Sequence, residues 1–339
     1  MKHRIVILAA TLCIAGLISF VIFFRILFMG NINQDKSYLY VPSGSTIAQV
    51  MDSLYTNQTL KNSGTFLRAA KWMSLDKNIK PGCYLLKKGM SNRSIIRMIS
   101  NGWQTPVRLV IPSHVRGIEK LSSILGKRLE IDSIDIANSL INDTILKEKN
   151  LSKHTILTLF IPNTYEVYWT ISAKELTERM QKESERFWTD ERIEKAKKLK
   201  LDKIQAYTLA SIVAEESNLK REQPSIAGVY LNRLRKGMLL QADPTVKFAL
   251  NDPTIKRILN KHLKIDSPYN TYKYKGLPPG PITIPPVSAI DAVLSADNHQ
   301  YLYFCAHPSL DGSHVFAKTL GEHNLNARRY QAKISASKR

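Results

Sequence analysis

Two adjacent carboxylates close a run of small and aliphatic residues at Ala210-Ser211-Ile212-Val213-Ala214-Glu215-Glu216. On a helix, Leu209, Ile212, Val213 and Glu216 share one face, whereas Glu215 is turned about 100° away. Glu216 therefore continues an apolar stripe, and Glu215 is expected to be the solvated one. A carboxyl held against apolar surface keeps its proton to higher pH, which a general acid for glycosidic cleavage requires near neutrality. An ion pair at a fraying helix end suits the same position, and spacing alone does not separate the two readings.

Further polar clusters lie downstream. Asn232-Arg233 precedes Leu240-Gln241-Ala242-Asp243-Pro244-Thr245, and Tyr269-Asn270-Thr271-Tyr272 precedes Gly276-Leu277-Pro278-Pro279-Gly280-Pro281. Asp243 reads as a helix N-cap with Pro244 in the first turn, and Asp252-Pro253 repeats the device. If the segment after Tyr269 is extended, Tyr272 and Tyr274 project to one side. Tyrosines beside a rigid Pro/Gly loop suit a sugar-binding cleft and core packing equally well.

Several other chemistries lack their signatures: HExxH, GxSxG, a Walker loop and the Rossmann glycines are all missing. The eight histidines show no metal-ligand spacing. His314 and His323 are separated by an expected strand end and turn, and a structural or substrate role is favoured over a metal. Cys83 and Cys305 lie outside the apolar leader and lack CxxC spacing, so no cysteine zinc site is expected. Their pairing is left open.

The elements that position these residues follow a leader. Ile5 to Phe24 are twenty uncharged, mostly apolar residues, about 30 Å as a helix and enough to cross a bilayer core. No Ala-x-Ala-like site follows, and Thr11-Leu12 before Cys13 lacks the small residues of a lipoprotein site, so the leader reads as an uncleaved anchor. Lys2, His3 and Arg4 precede it. The expectation is a cytoplasmic stub over 1–4, a span over 5–28, and residues 31–339 outside.

Residues 38–112 read as a small α+β module. Strands are expected at 39–41, 82–86 and 107–111, and helices at 46–55, 65–73 and 94–100. Residues 113–160 read as a helical connector. The region 161–332 then mixes helices at 175–188, 193–200, 202–218 and 224–236 with short Asp-Pro helices and a strand pair over 301–317. The fold class is α+β: an N-terminal transmembrane helix, a small module and a larger mixed α/β domain.

The net charge of +21 comes from Lys and Arg spread along the chain. That spread argues against a nucleic-acid arm. Anionic lipid headgroups and acidic wall polymers fit it, as does a simple excess of solvated lysines.

Taken together, the segments resemble the MltG (YceG-like) family of endolytic murein transglycosylases. The likeness is carried by Ala210 to Val213 with Glu216, Val229-Tyr230-Leu231-Asn232-Arg233-Leu234, Leu240 to Val246, Tyr269 to Tyr272, and Gly276 to Ile282. It continues through Tyr301-Leu302-Tyr303-Phe304, then His314, Phe316 and His323-Asn324. The resemblance implies a LysM-like module over 38–112 and a transglycosylase domain over 161–332. It implies Glu216 as the catalytic acid and then base, and cleavage of the MurNAc–GlcNAc bond in nascent strands to leave 1,6-anhydro ends. Asn232, Arg233, Gln241, Asp243, Thr245, Tyr269, Asn270, Thr271, Tyr272 and His314 become candidate substrate-binding residues. No cofactor or metal is needed. The implied partners are glycan strands, the cytoplasmic membrane and peptidoglycan synthases. Ala214 departs from the family, which commonly carries a second glutamate there. Two rival functions are a non-catalytic wall-binding scaffold and a hydrolytic muramidase, for which Asp243 is the one candidate second carboxylate.

Overall fold

The structure, a computed structural model, describes residues 2–337 except 253 and 256. The chain divides into two compact units. The first comprises Met1–Leu109, Arg128–Ile131 and Glu166–Ile171, and the second holds the remainder. The architecture is α+β, and the N-terminal helix is long and apolar enough to cross a membrane.

In the first unit, helix α1 (Lys2–Phe28) leads into strand β1 (Lys36–Val41), helices α2 (Ile47–Thr56) and α3 (Ser63–Trp72), strand β2 (Gly82–Lys87) and helix α4 (Asn92–Asn101). Local chemistry explains these boundaries. Thr46 and Gln49 form a capping box on α2, Asn62 caps α3, and Ser91 caps α4. Gly102 ends α4 at φ +68°, where a side chain would be strained. β1 and β2 pair antiparallel from Lys36↔Lys87 to Val41↔Gly82. Alternation turns Leu39 and Val41 inward onto Phe66, Ile95, Ile96 and Ile99.

The end of α1 is fastened into this core. Ile26 and Leu27 are buried in it. Asn92 Nδ2 donates to the Ile26 carbonyl at 2.8 Å, and Asn31 Nδ2 donates to Asn92 Oδ1 at 2.7 Å. Gly30 permits the approach, because a Cβ there would stand 2.7 Å from the Gly89 carbonyl oxygen.

β3 (Val107–Ile111) and β4 (Asn163–Val167) pair, and the chain crosses the division between units along both. Between them lie α5 (Ile118–Gly126), α6 (Ser133–Leu140), α7 (Asp143–Glu148) and a 3-10 turn at Ile156–Leu159. The second unit continues with α8 (Ala173–Phe187), α9 (Asp190–Lys198), α10 (Lys203–Glu216), α11 (Gln223–Arg235), α12 (Asp243–Leu250), α13 (Val287–Leu294), β5 (Tyr303–Ala306), β6 (His314–Ala317) and α14 (Leu320–Ser337).

α10 is the central helix, packed by α9, α11, α12 and α13. Every residue from Ala206 to Ala214 is buried. Its start is set by a capping box between Asp202 and Gln205. The Tyr207 hydroxyl donates to the Phe160 carbonyl at 2.8 Å.

The structure departs from the sequence reading in places. α13, α14 and β4 were not anticipated; α13 follows Pro285-Pro286 and is too short to show a helical period. The segment around Tyr269–Tyr274 forms turns rather than an extended run, so the expected same-side projection of Tyr272 and Tyr274 fails. No helix starts at Asp252: its carboxylate accepts from the Thr254 amide and hydroxyl instead, and Pro253 lies outside the described residues. Cys13, Cys83 and Cys305 are free thiols.

Candidate active site

The site is built at the C-terminal end of α10. Glu216 is the last helical residue, and Ser217 caps the helix. α11 runs back past it, its start tied by Gln223 Nε2 donating to the Ser217 carbonyl at 2.9 Å. That return brings Tyr230 alongside, and its hydroxyl donates to Glu216 Oε1 at 2.6 Å.

Burial is the main cause that pushes the Glu216 carboxyl up to about 7. The Tyr230 hydrogen bond opposes it, the Asp243 charge adds to it, and the Arg233 charge pulls back. Burial also holds the Tyr230 phenol well above its ordinary range, so Tyr230 remains a donor. A carboxyl with these properties gives and recovers a proton near neutrality.

Glu215 is not the solvated carboxylate that the helix spacing suggested. Its side chain is only 12% exposed, paired with His114 Nδ1 at 2.9 Å and with Arg116 Nη2. The reason is long-range packing. The His114 amide donates to the Ile284 carbonyl at 2.7 Å, and the Ile284 amide donates to the Val115 carbonyl at 2.9 Å. These bonds lay the segment 114–116 beside the end of α10, so part of the expected connector contributes side chains to the site.

Asp243 corrects a second expectation. Ala242, not Asp243, caps α12, and no side-chain cap bond forms. The exposed Asp243 carboxylate instead accepts from the Tyr272 hydroxyl at 2.6 Å. Burial and that carboxylate hold the Tyr272 phenol far above its usual range.

Most other candidates are turned into the protein. Arg233 is buried and donates to the carbonyls of Leu302, Leu239 and Leu240 and to Gln241 Oε1, at 2.6 to 3.2 Å. Asn232 Nδ2 donates to the carbonyls of His299 and Tyr301, at 2.8 and 3.0 Å. Asn270 is buried, donating to the carbonyls of Leu263 and Ile265. Thr245 and Thr271 pair their hydroxyls at 2.8 Å in the core, and the Gln241 amide donates to the Thr271 carbonyl. Tyr269 is buried against Phe248, with its hydroxyl 3.2 Å from His154 Nδ1.

His314 opens β6 with its ring on Glu222 at 2.9 Å and edge-on to Phe304, which in turn packs edge-on against Tyr230. A continuous line of side chains thus runs from Glu216 through Tyr230, Phe304 and His314 to Glu222. The Pro/Gly loop is fixed from below: Ser211 Oγ accepts from the Ile282 amide at 3.0 Å, and Gly280 passes so close to the His154 carbonyl that a Cβ would overlap it.

Tyr230, His114, Arg116 and Glu222 were not singled out from the sequence. Tyr230 entered only as part of the Val229-Tyr230-Leu231 run that carries the family resemblance, with no role given to it. His114 and Arg116 lie about a hundred residues before Glu215, beyond any local pattern.

The sequence matches the YceG-like family over residues 39–329, which takes in every residue of this site. The chain belongs to the YceG-like family. A relative from Bacillus subtilis named endolytic murein transglycosylase is 30% identical over 306 residues, covering 86% of this chain and 83% of its own. Another protein of that name, from Streptococcus pneumoniae, is 24% identical over 327 residues; this chain spans 58% of its length. A crystal structure of a YceG-like protein from Listeria monocytogenes aligns with TM-score 0.55 at 29% identity, over 86% of this chain and 99% of that one.

Proposed function

We propose that this YceG-like enzyme cuts peptidoglycan glycan strands as an endolytic murein transglycosylase, with Glu216 as its single acid and base. Family membership and the names of its relatives support the activity class. The observation that carries the chemistry is Glu216, a carboxyl raised to about 7 by burial and held by Tyr230 at 2.6 Å.

In this reading protonated Glu216 donates to the glycosidic oxygen between MurNAc and GlcNAc. The carboxylate left behind takes the proton of the muramoyl C6 hydroxyl as that oxygen attacks its own anomeric carbon, leaving a 1,6-anhydro end. The nucleophile belongs to the substrate, so effective molarity replaces an enzymic nucleophile, and no metal or cofactor enters. Asp243, Tyr272 and His314 are read as groups along the glycan. Asn232, Arg233, Gln241, Thr245, Tyr269, Asn270 and Thr271 are read as holding the loops around the candidate site.

The apolar α1 is read as a membrane span with the rest of the chain outside, and the β1–α2–α3–β2 module as a LysM-like wall-binding unit. Peptidoglycan synthases, which make the strands at the same membrane, are its proposed protein partners. The test is mass analysis of uncrosslinked glycan strands digested by the full chain in nanodiscs. Anhydro ends are expected. Reducing ends would replace this reading with hydrolysis using Asp243, and intact strands would leave a scaffold.

A further inference from the structure

We propose that the outer face of α3 is a membrane-interface surface that seats the first unit on an anionic lipid bilayer. The proposal rests on reading α1 as a span and is independent of the catalytic assignment.

α3 buries Phe66, Ala69 and Ala70 in the core of its unit. Its opposite face presents Gly64, Leu67, Arg68, Lys71 and Trp72, the i, i+3, i+4, i+7, i+8 stripe of a single helical side. Leu67 and Trp72 are each 50% exposed on that stripe. Between them stand Arg68 and Lys71, and neither is in an ion pair among the described residues. A large aliphatic and a tryptophan interleaved with free cations is the composition of helices that lie in headgroup layers.

The position of this face relative to α1 selects the partner. The Trp72 ring stacks on Phe23 with centroids 5.5 Å apart. Phe23 is the last residue but one of the uncharged run ending at Phe24. It lies about 7.5 Å along the axis from Phe28 at the helical rise. Trp72 is therefore level with the end of the hydrocarbon-spanning stretch, the depth at which tryptophan is enriched in membrane proteins. Close to the same helix end, the Arg93 guanidinium lies 5.4 Å from the Phe28 ring. Arg68, Lys71 and Arg93 near one end of an apolar helix, with no acidic partners among the described residues, are complementary to anionic headgroups rather than to zwitterionic ones.

The experiment places an environment-sensitive fluorophore on Leu67→Cys in the full chain, with Tyr38→Cys on β1 as reference. Cys13→Ser removes the exposed native thiol; burial pushes the Cys83 and Cys305 thiols up and leaves them poor nucleophiles. The chain is reconstituted in nanodiscs of phosphatidylcholine with or without phosphatidylglycerol, carrying lipids spin-labelled near the headgroup. The label at 67 should be quenched by the spin-labelled lipids and the label at 38 should not. The paired change Arg68→Glu and Lys71→Glu should lower that quenching, by up to roughly five-fold for each cation removed, and omission of phosphatidylglycerol should lower it in the same direction. Equal quenching at both positions, or a label at 67 open to an aqueous quencher in both lipids, overturns the proposal. Quenching unaffected by lipid charge overturns its anionic part. A chain that fails to elute with the discs overturns the span itself, a separate failure visible before any fluorescence is read.

Discussion

Tyr230 donates its hydroxyl to Glu216 across 2.6 Å, and this bond opposes the burial that raises the same carboxyl. Burial alone favours the neutral acid, while the phenol favours the ion. Their balance leaves the carboxyl near neutrality, where one group serves as acid in one step and base in the next.

Activity should therefore fall as pH rises through about 7, because the first step needs protonated Glu216. Tyr230→Phe removes a contact that stabilises the ionised form, so the alkaline limb should move upward. A pH–rate profile for both proteins checks this. An unmoved or lowered limb in Tyr230→Phe would show that the phenol does not set the titration.

Glu216→Gln keeps the shape and an acceptor for Tyr230 but cannot cycle a proton. The loss in turnover should be about 10² to 10⁴, more if both steps depend on the residue. Glu215→Gln should cost far less, because its partners Arg116 and His114 are 38% and 44% exposed and water can replace the pair. Release of anhydromuramoyl products is the readout, with circular dichroism for the fold. Equal losses in both variants would mean that the wrong carboxylate has been named.

The raised carboxyl also makes a stability statement. Between the usual carboxylate range and about 7, folded Glu216 holds a proton that the unfolded chain has released. Its contribution is fully present below that range and is lost as pH rises through the folded value. Glu216→Gln should thus gain stability over the wild type at pH 8, by up to roughly 3 kcal/mol, and little at pH 4. Thermal unfolding at the two pH values measures the difference, and a gain that does not grow with pH contradicts it.

Arg233→Ala should destabilise the second unit by about 2 to 4 kcal/mol, since four acceptors, one of them in a buried bond, lose a buried charged donor. Arg233→Lys should recover only part, because an ammonium cannot span acceptors placed for a planar fork. Denaturation midpoints for the two variants test the ranking. A purely substrate-binding arginine would leave both midpoints unchanged.

Much of the small unit was legible because its rules are local. Gly102 marks the end of α4 by cap chemistry and β3 appears at its expected bounds, whereas the Asn62 and Ser91 caps start α3 and α4 two residues ahead of the expected 65 and 94. Within the candidate site, Glu216, Asp243, Tyr272 and His314 were named from the sequence, and the stripe that selected Glu216 is not what distinguishes it. Thr208 and Ser211, on other faces of α10, are as buried as Leu209 and Ile212. A central helix has no solvent face, so periodicity loses its meaning there. What matters is that Glu216 ends the helix where α11 returns, and this depends on packing. Asp243 was misread for a related reason: Asp-Pro is a good capping pair, but the cap role passed to Ala242 once Tyr272 took the carboxylate.

The buried Asn31–Asn92 pair leaves the apolar helix α1 no swivel. Asn92 holds the last turn of α1 through the Ile26 carbonyl, Asn31 holds Asn92, and the Asn31 amide donates to the Met90 carbonyl at 2.8 Å. The apolar helix and the module that follows it are joined as one mechanical piece. Rotation of α1 about its axis swings the β1–β2 sheet through the same angle, and two residues added within the apolar run re-aim the module by about 200°. Read as an anchor, α1 would set a heading as well as a tether.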